Sequence, residues 1–381
     1  MERKYCAIVL AAVFLAMLLA SGCTRNGTTG NQSTNVTINT SHGGGTTINQ
    51  TANASDGEGA TGNQSMNHPI NATNGSGTTG NQNLNQTNQS ANLTVYKPGD
   101  YDFRMRYGGI EREYLMHVPP SYSGAPSQVV IYFHGGGGSM GDSKQQGMYN
   151  YSDKYGFILL SPAGTNRWGT EGLRTWNAGR WDDSGCCGYA LEKNVDDVGF
   201  TSIMIEETKK KMNVDAKRIY ATGHSNGGAM AYRLACQLSD KIAAAAPASP
   251  AGLESACAPA RPISVMQIHG TADPCVPYYG GKENSGCLPT GNDYPPAQEE
   301  IKFWRNTDGC AANGNISYQK GDASCTSYSC SQGTEVEFCT VTGMGHAWPS
   351  GNPTLANIVG EVSFDISFDQ IWEFFQRNPM K

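Results

Sequence analysis

About seventy residues near the start of this chain cannot build a core. From position 24 to about 95 the sequence is Asn, Thr, Gly, Ser, Gln and Ala with hardly an apolar side chain among them. Such a segment buries too little surface to offset the entropy of ordering it. It reads as a disordered stalk, and whatever folds must lie between 96 and 381. Gly27-Thr28-Thr29-Gly30-Asn31-Gln32 recurs as Gly77-Thr78-Thr79-Gly80-Asn81-Gln82, but the repeat lacks the apolar positions that a solenoid stacks. N-x-S/T acceptors, Asn35, Asn53, Asn71 and Asn92 among them, are sites at which an exported stalk would be glycosylated.

Export is what residues 1–23 suggest. Arg3 and Lys4 precede an apolar run from Ala7 to Ala20, and Ser21-Gly22-Cys23 supplies small residues for cleavage. The run is too short to span a bilayer comfortably. Leu19-Ala20-Ser21-Gly22-Cys23 resembles a lipoprotein processing box, so Cys23 is expected to become a lipid-modified first residue. The expectation is a protein outside the cell, held to the membrane by an N-terminal lipid anchor. A formal net charge of −6 and the lack of a basic cluster after the apolar run argue against a nucleic-acid partner.

Of the 12 cysteines, removal of the signal discards Cys6 and the lipid takes Cys23. The remaining even set runs from Cys186 to Cys339. No C-x-x-C pair occurs, so disulfides are expected and a metal site is not. The cluster from Cys310 to Cys339 should pair mostly within itself.

From Tyr96 onward strand and helix signals alternate. Tyr101–Tyr107 and Glu111–Val118 flank Gly108-Gly109 as a β-hairpin. Val129–Phe133, Phe157–Ser161, Arg218–Thr222, Ile242–Ala246 and Ile263–Ile268 are short apolar runs suited to buried strands, and Glu335–Thr342 is a further strand candidate. Gln145–Tyr155, Val198–Lys211 and Gly227–Leu238 carry helical spacing. The pattern predicts an α/β fold, with a mainly parallel sheet covered on both faces after an antiparallel start.

Chemistry concentrates at strand ends. Gly223-His224-Ser225-Asn226-Gly227 follows one strand and opens a helix, the context of a nucleophile elbow, and its glycines suit so tight a turn. With Ser225 as nucleophile, the acid and then the base should follow in chain order. Only His346, in Gly345-His346-Ala347-Trp348-Pro349, lies late enough to be the base. Asp273, directly beyond Ile263–Ile268, is the preferred acid over Asp293 and Asp308. Asp196 and Asp197 look like helix caps. His134-Gly135-Gly136-Gly137-Gly138 offers bare backbone N–H groups, and Gly136 and Asn226 are the expected main-chain donors to an oxyanion. His134 and His269 read as structural. Gly136-x-Gly138-x-x-Gly141 formally matches a dinucleotide fingerprint, but the next strand ends in Ser161-Pro162-Ala163 without a ribose-binding acid, so no cofactor is expected. Trp176, Trp181, Tyr278, Tyr279 and Trp348 lie in loops expected around the site. Trp348, Trp176 and Tyr278 are the candidates for substrate contact, Trp348 foremost because it is two residues from His346.

Together with Asn194-Val195-Asp196-Asp197-Val198-Gly199-Phe200, these motifs make residues from about Tyr101 to Lys381 resemble the polyhydroxybutyrate depolymerase and feruloyl esterase group of carbohydrate esterase family one. The resemblance implies the α/β-hydrolase fold and metal-independent ester hydrolysis by Ser225, His346 and Asp273. Its substrates would be feruloyl or related aryl esters of plant polysaccharide, or polyesters. The long stalk and extra cysteines depart from a minimal member, and no polymer-binding module is evident. A non-catalytic binding protein on the same scaffold is the competing class, and it would be expected to have lost a member of the triad.

Overall fold

A computed structural model describes residues 96–169, 172–181, 184–282, 287, 292–351 and 359–381, with the backbone of Ile38–Asn39. The chain divides after Thr34 into two units, and all of these residues belong to the second. The expected signal and processing box at 1–23, Cys23 included, and nearly all of the expected stalk lie outside the described residues.

One twisted sheet carries the molecule. Its main strands are β1 (Gly99–Tyr107), β2 (Ile110–Val118), β3 (Ser127–Phe133), β4 (Ile158–Pro162), β5 (Val214–His224), β6 (Ala244–Ala248), β7 (Ser264–Gly270), β8 (Asn315–Lys320), β9 (Ala323–Ser329) and β10 (Glu335–Val341). They lie side by side in the order β1-β2-β4-β3-β5-β6-β7-β10-β9-β8, and Ile38–Asn39 adds a two-residue pairing outside β1. The block from β4 to β10 is parallel throughout. Antiparallel strands close both flanks: the β1–β2 hairpin on β4, and β9 and β8 on β10. The hairpin is the antiparallel start expected from Gly108-Gly109, and both glycines have positive φ.

Helices α1 (Met148–Tyr155), α2 (Asp197–Lys211), α3 (Asn226–Gln237), α4 (Ala297–Thr307) and α5 (Phe368–Arg377) cover the sheet. Side chains alternate across a strand, so each parallel strand feeds two cores. Val129, Ile131 and Phe133 of β3 pack with Phe200 and Met204 of α2, Met230 and Leu234 of α3, and Trp304 of α4. Val130 and Tyr132 point the other way, to Met148 of α1 and Phe368, Ile371 and Phe375 of α5. Ser367 caps α5 in a reciprocal box with Gln370.

The two aspartates before α2 separate in role. Asp196 is the N-cap, accepting from the N–H of Gly199. Asp197 is not a cap as expected, because its carboxylate is drawn into the interior: Oδ1 takes Arg112 Nη2 at 2.6 Å and Oδ2 takes the Asn177 N–H at 2.7 Å. This buried pair fastens the hairpin and the 177 loop to α2, and breaking one partner would leave the other charge uncompensated.

Five disulfides join Cys186–Cys187, Cys236–Cys257, Cys275–Cys287, Cys310–Cys330 and Cys325–Cys339. The late cluster pairs entirely within itself, and Cys325 and Cys339 are direct partners across β9 and β10. Among the described residues no helix is long and apolar enough to cross a membrane.

Candidate active site

The carboxyl ends of β3, β5, β7 and β10 face one region, and each is followed by one part of the site. Ser225 is the single residue between β5 and α3. Its backbone sits at φ 59°, ψ −122°, a left-handed conformation that costs a non-glycine residue about 1–3 kcal/mol and survives only where its surroundings over-determine it. They do so here. The Ser225 N–H donates to Ala248 O at 3.0 Å, and the Ser225 carbonyl accepts from Ala229 N at 2.9 Å and Ala251 N at 3.1 Å. The turn is also closed sterically: a Cβ on Gly223 would lie 2.5 Å from Gly227 O and 2.6 Å from Phe133 O, and one on Gly227 would run into the carbonyls of Phe133 and His134. The result projects a serine at the positive end of a 12-residue helix.

The glycine loop after β3 lies against this elbow. A Cβ on Gly135 would sit 3.6 Å from Ser225 Cβ, and one on Gly136 would sit 3.6 Å from Asn226 Cβ. The N–H groups of Gly137 and Gly138 are committed to Arg174 O and Gly135 O. Among the described residues, no acceptor engages the N–H of Gly136. The main-chain N–H of Asn226 belongs to the first turn of α3, where intrahelical acceptors are lacking. The Asn226 side chain is clamped: its Oδ1 accepts from Trp176 N at 2.7 Å, and its Nδ2 donates to Trp176 O at 3.1 Å and Cys186 O at 3.3 Å. His134 steadies the loop from beneath, donating through Nδ1 to Gly135 O and accepting the Gly164 N–H at Nε2. Burial holds its pKa down at about 4, which keeps it the neutral ring this bonding needs.

Asp273 follows β7 and is buried. Its Oδ1 accepts the N–H groups of Cys275 and Val276, each at 2.8 Å, and its Oδ2 accepts His346 Nδ1 at 2.8 Å. Burial by itself would raise this carboxyl, but His346 and His269 outweigh it and hold the group well below the usual carboxylate range. With Nδ1 bound to Asp273, His346 has Nε2 left for exchange with a hydroxyl. The His346 ring lies 4.6 Å from that of His224, the residue before Ser225. Among the described residues no hydrogen bond joins Ser225 Oγ to His346. Contacts of this kind tighten in the Michaelis complex. Burial, reinforced by His346, lowers His224 to about 3, so a neutral ring faces the base. The other two candidate acids lie elsewhere: Asp308 accepts the Ile263 N–H at the opposite end of β7, and the Asp293 carbonyl accepts from Trp181 Nε1.

The aromatic expectations need correction. Trp348 is 2% exposed and stands edge-on to Tyr132 in the core beneath α1 and α5, on the face of the sheet away from α3. Two residues of separation from His346 therefore place it under the site instead of in it. Trp176 is fully enclosed, with Nε1 on His134 O, and supports the glycine loop. Tyr278 is buried with its hydroxyl on Thr340 Oγ1. None of the three is presented to a substrate, whereas Tyr279 is 74% exposed. What the sequence reading missed is the clamping role of the Asn226 side chain and the polar cluster behind Asp273. The only signal for that cluster was His269-Gly270 immediately before the acid.

The Phospholipase/Carboxylesterase family profile matches residues 120–293. Feruloyl esterase B of Piromyces equi is 36% identical over 179 residues, covering 45% of this chain and 32% of that protein's length. Feruloyl esterase C of Emericella nidulans is 30% identical over 215 residues, covering 52% of this chain and 72% of the relative. The chain belongs to the feruloyl esterase group. This is a group of serine carboxylic ester hydrolases of the α/β-hydrolase fold, and the strand order agrees with that fold. The solved acetyl xylan esterase from Aspergillus awamori aligns with a TM-score of 0.46 at 16% identity, over 70% of this chain and 94% of that one.

Proposed function

We propose that the protein hydrolyses feruloyl or related hydroxycinnamoyl esters of plant polysaccharide through Ser225, His346 and Asp273, outside the cell. His346 Nε2 takes the proton of Ser225 Oγ as the oxygen attacks the ester carbonyl, and the main-chain N–H groups of Gly136 and Asn226 receive the oxyanion. The imidazolium then protonates the leaving alkoxide. Water, deprotonated by the same imidazole, releases the acid and restores Ser225. Asp273 fixes the tautomer and balances the transient positive charge. The observation that carries this reading is the strained Ser225 elbow beside the buried His346–Asp273 pair. The feruloyl preference is supported by the names of the two relatives described above, both feruloyl esterases.

The test is hydrolysis of methyl ferulate and a feruloylated arabinoxylan fragment, set against aryl acetates and hydroxyalkanoate oligomers, with Ser225→Ala as control. Release of ferulate by the wild type alone supports the proposal. Faster cleavage of hydroxyalkanoate oligomers with ferulate untouched would replace the substrate and leave the mechanism. The extracellular placement rests on the apolar run and the box ending at Cys23. It predicts that labelled fatty acid is incorporated into the protein and that Cys23→Ala abolishes incorporation, whereas labelling that survives Cys23→Ala would contradict the anchor.

A further inference from the structure

We infer that His269 is a positioning residue for this reaction, bringing a second imidazole N–H within 3.4 Å of Asp273 Oδ2 while being held in place by Val276 O, Gln267 and Glu300. The inference rests on the proposed triad and deepens it. His269 lies near the end of β7 and is 1% exposed. Its Nε2–H donates to Val276 O at 2.9 Å, and the same nitrogen stands in electrostatic contact with Asp273 Oδ2 at 3.4 Å. Both neighbours only accept, so Nε2 carries the hydrogen whether the ring is neutral or protonated. The same oxygen of Asp273 thus meets two imidazoles, His346 at 2.8 Å and His269 at 3.4 Å.

A chain of buried groups fixes the ring from its far side. His269 Nδ1 is 3.3 Å from Gln267 Nε2, that amide donates to Glu300 Oε2 at 2.8 Å, and Tyr232 donates to Gln267 Oε1 at 2.7 Å. Tyr232 comes from α3, the helix that Ser225 opens, and Glu300 from α4, so the cluster links three elements around the acid. Among the described residues, the titratable groups facing His269 are Asp273, Glu300, Tyr278, whose ring stands edge-on to it at 5.7 Å, and, more distantly, His224. Burial pushes Glu300 up to about 8, opposed by His269 and Gln267, so the cluster carries no full negative charge behind the ring at neutral pH.

Two consequences follow for catalysis. Three hydrogen bonds, from Cys275, Val276 and His346, hold the carboxylate, and among the described residues His269 is the other imidazole in contact with Oδ2, so it biases the direction in which that oxygen meets His346. It also disperses the charge on Oδ2. Loss of the second donor concentrates that charge on His346 and makes the base harder to deprotonate. A packing residue would have neither effect.

The experiment compares His269→Leu with His269→Gln, whose amide N–H can occupy the place of Nε2–H. His269→Leu is expected to lower kcat about tenfold with little change in KM and to move the acid limb of the kcat/KM profile to higher pH by half a unit or more. His269→Gln should return the limb toward the wild type. In parallel, the downfield proton NMR signal of the His346–Asp273 hydrogen bond should shift in the Leu variant and return in the Gln variant. That second readout needs no turnover, so failure of this inference is distinct from failure of the ester-hydrolase reading, which a wild type inactive on every ester would mark. An unmoved acid limb and an unmoved proton signal in a folded His269→Leu, or identical behaviour of the two variants, would overturn the inference. If the Leu variant does not fold, His269→Gln alone decides: a wild-type limb and signal support a donor role, and a displaced limb contradicts it.

Discussion

At the scale of single residues, the chain concentrates its costs where its chemistry is. Ser225 holds a left-handed backbone, Asp273 is an ionised carboxylate out of water, and Glu300 is a carboxyl kept away from solvent. Glu300 gives a pH prediction with a definite sign. Its folded pKa, about 8, lies above the ordinary value for glutamate. The folded state therefore binds the proton more tightly than the unfolded chain. Stability from this group is full below about pH 4 and is lost progressively as pH rises toward 8, on the order of a few kcal/mol in total. Glu300→Gln keeps an oxygen for Gln267 Nε2 and removes the titration. Denaturant unfolding between pH 5 and 8 should show a shallower decline in the variant than in the wild type, and parallel curves would contradict the assignment. Asp273 has the opposite sign: its pKa is depressed, so its contribution is present above about pH 4 and is lost in acid.

At the scale of elements, the site is a set of strand ends held by local devices. Cys236–Cys257 ties α3 to the segment after β6, and Cys275–Cys287 closes the chain just beyond Asp273. The Asn226 side chain binds the first turn of α3 to the 176–186 segment. Trp348 shows why proximity in sequence is a poor guide to contact. After β10 the chain presents His346 on one side of the sheet end and, two residues on, buries the indole on the other. Trp348→Ala should therefore cost about 3–5 kcal/mol of stability, as large-to-small changes of buried aromatics do. KM for an aryl ester should stay unchanged at temperatures where the variant is folded. A KM raised tenfold with stability intact would return Trp348 to the substrate site.

At the scale of the whole molecule, the parallel strands and helices α1, α2 and α3 were legible because each is an apolar run or an apolar stripe bounded by glycine or polar turns. Strand β5 proved longer than its apolar part, since it begins at Val214, which pairs with Ser127, and the half-buried to exposed residues up to Lys217 bridge a register shift before Ile219. The flank made of β8 and β9 was not legible: Asn-Ile-Ser-Tyr-Gln-Lys and Ala-Ser-Cys-Thr-Ser-Tyr-Ser carry no clean alternation, and β10 together with Cys325–Cys339 gives them an edge and a register. Helix α5 was not expected from the sequence, and the Ser367–Gln370 box at its start is a finding of the structure. In the site, residue types in chain order pointed to Ser225, Asp273 and His346, and the structure joins the last two directly. The supports could not be read, because Asn226, His269, Gln267 and Glu300 meet only after the sheet has formed. The central claim is that this assembly makes Ser225 a nucleophile. Reaction of the wild-type protein with a fluorophosphonate ester, followed by peptide mass analysis, tests it most directly. The account predicts one covalent adduct, on Ser225, with parallel loss of methyl ferulate hydrolysis and no adduct in His346→Ala on the same timescale. An unmodified Ser225 in protein that still cleaves the ester would contradict it.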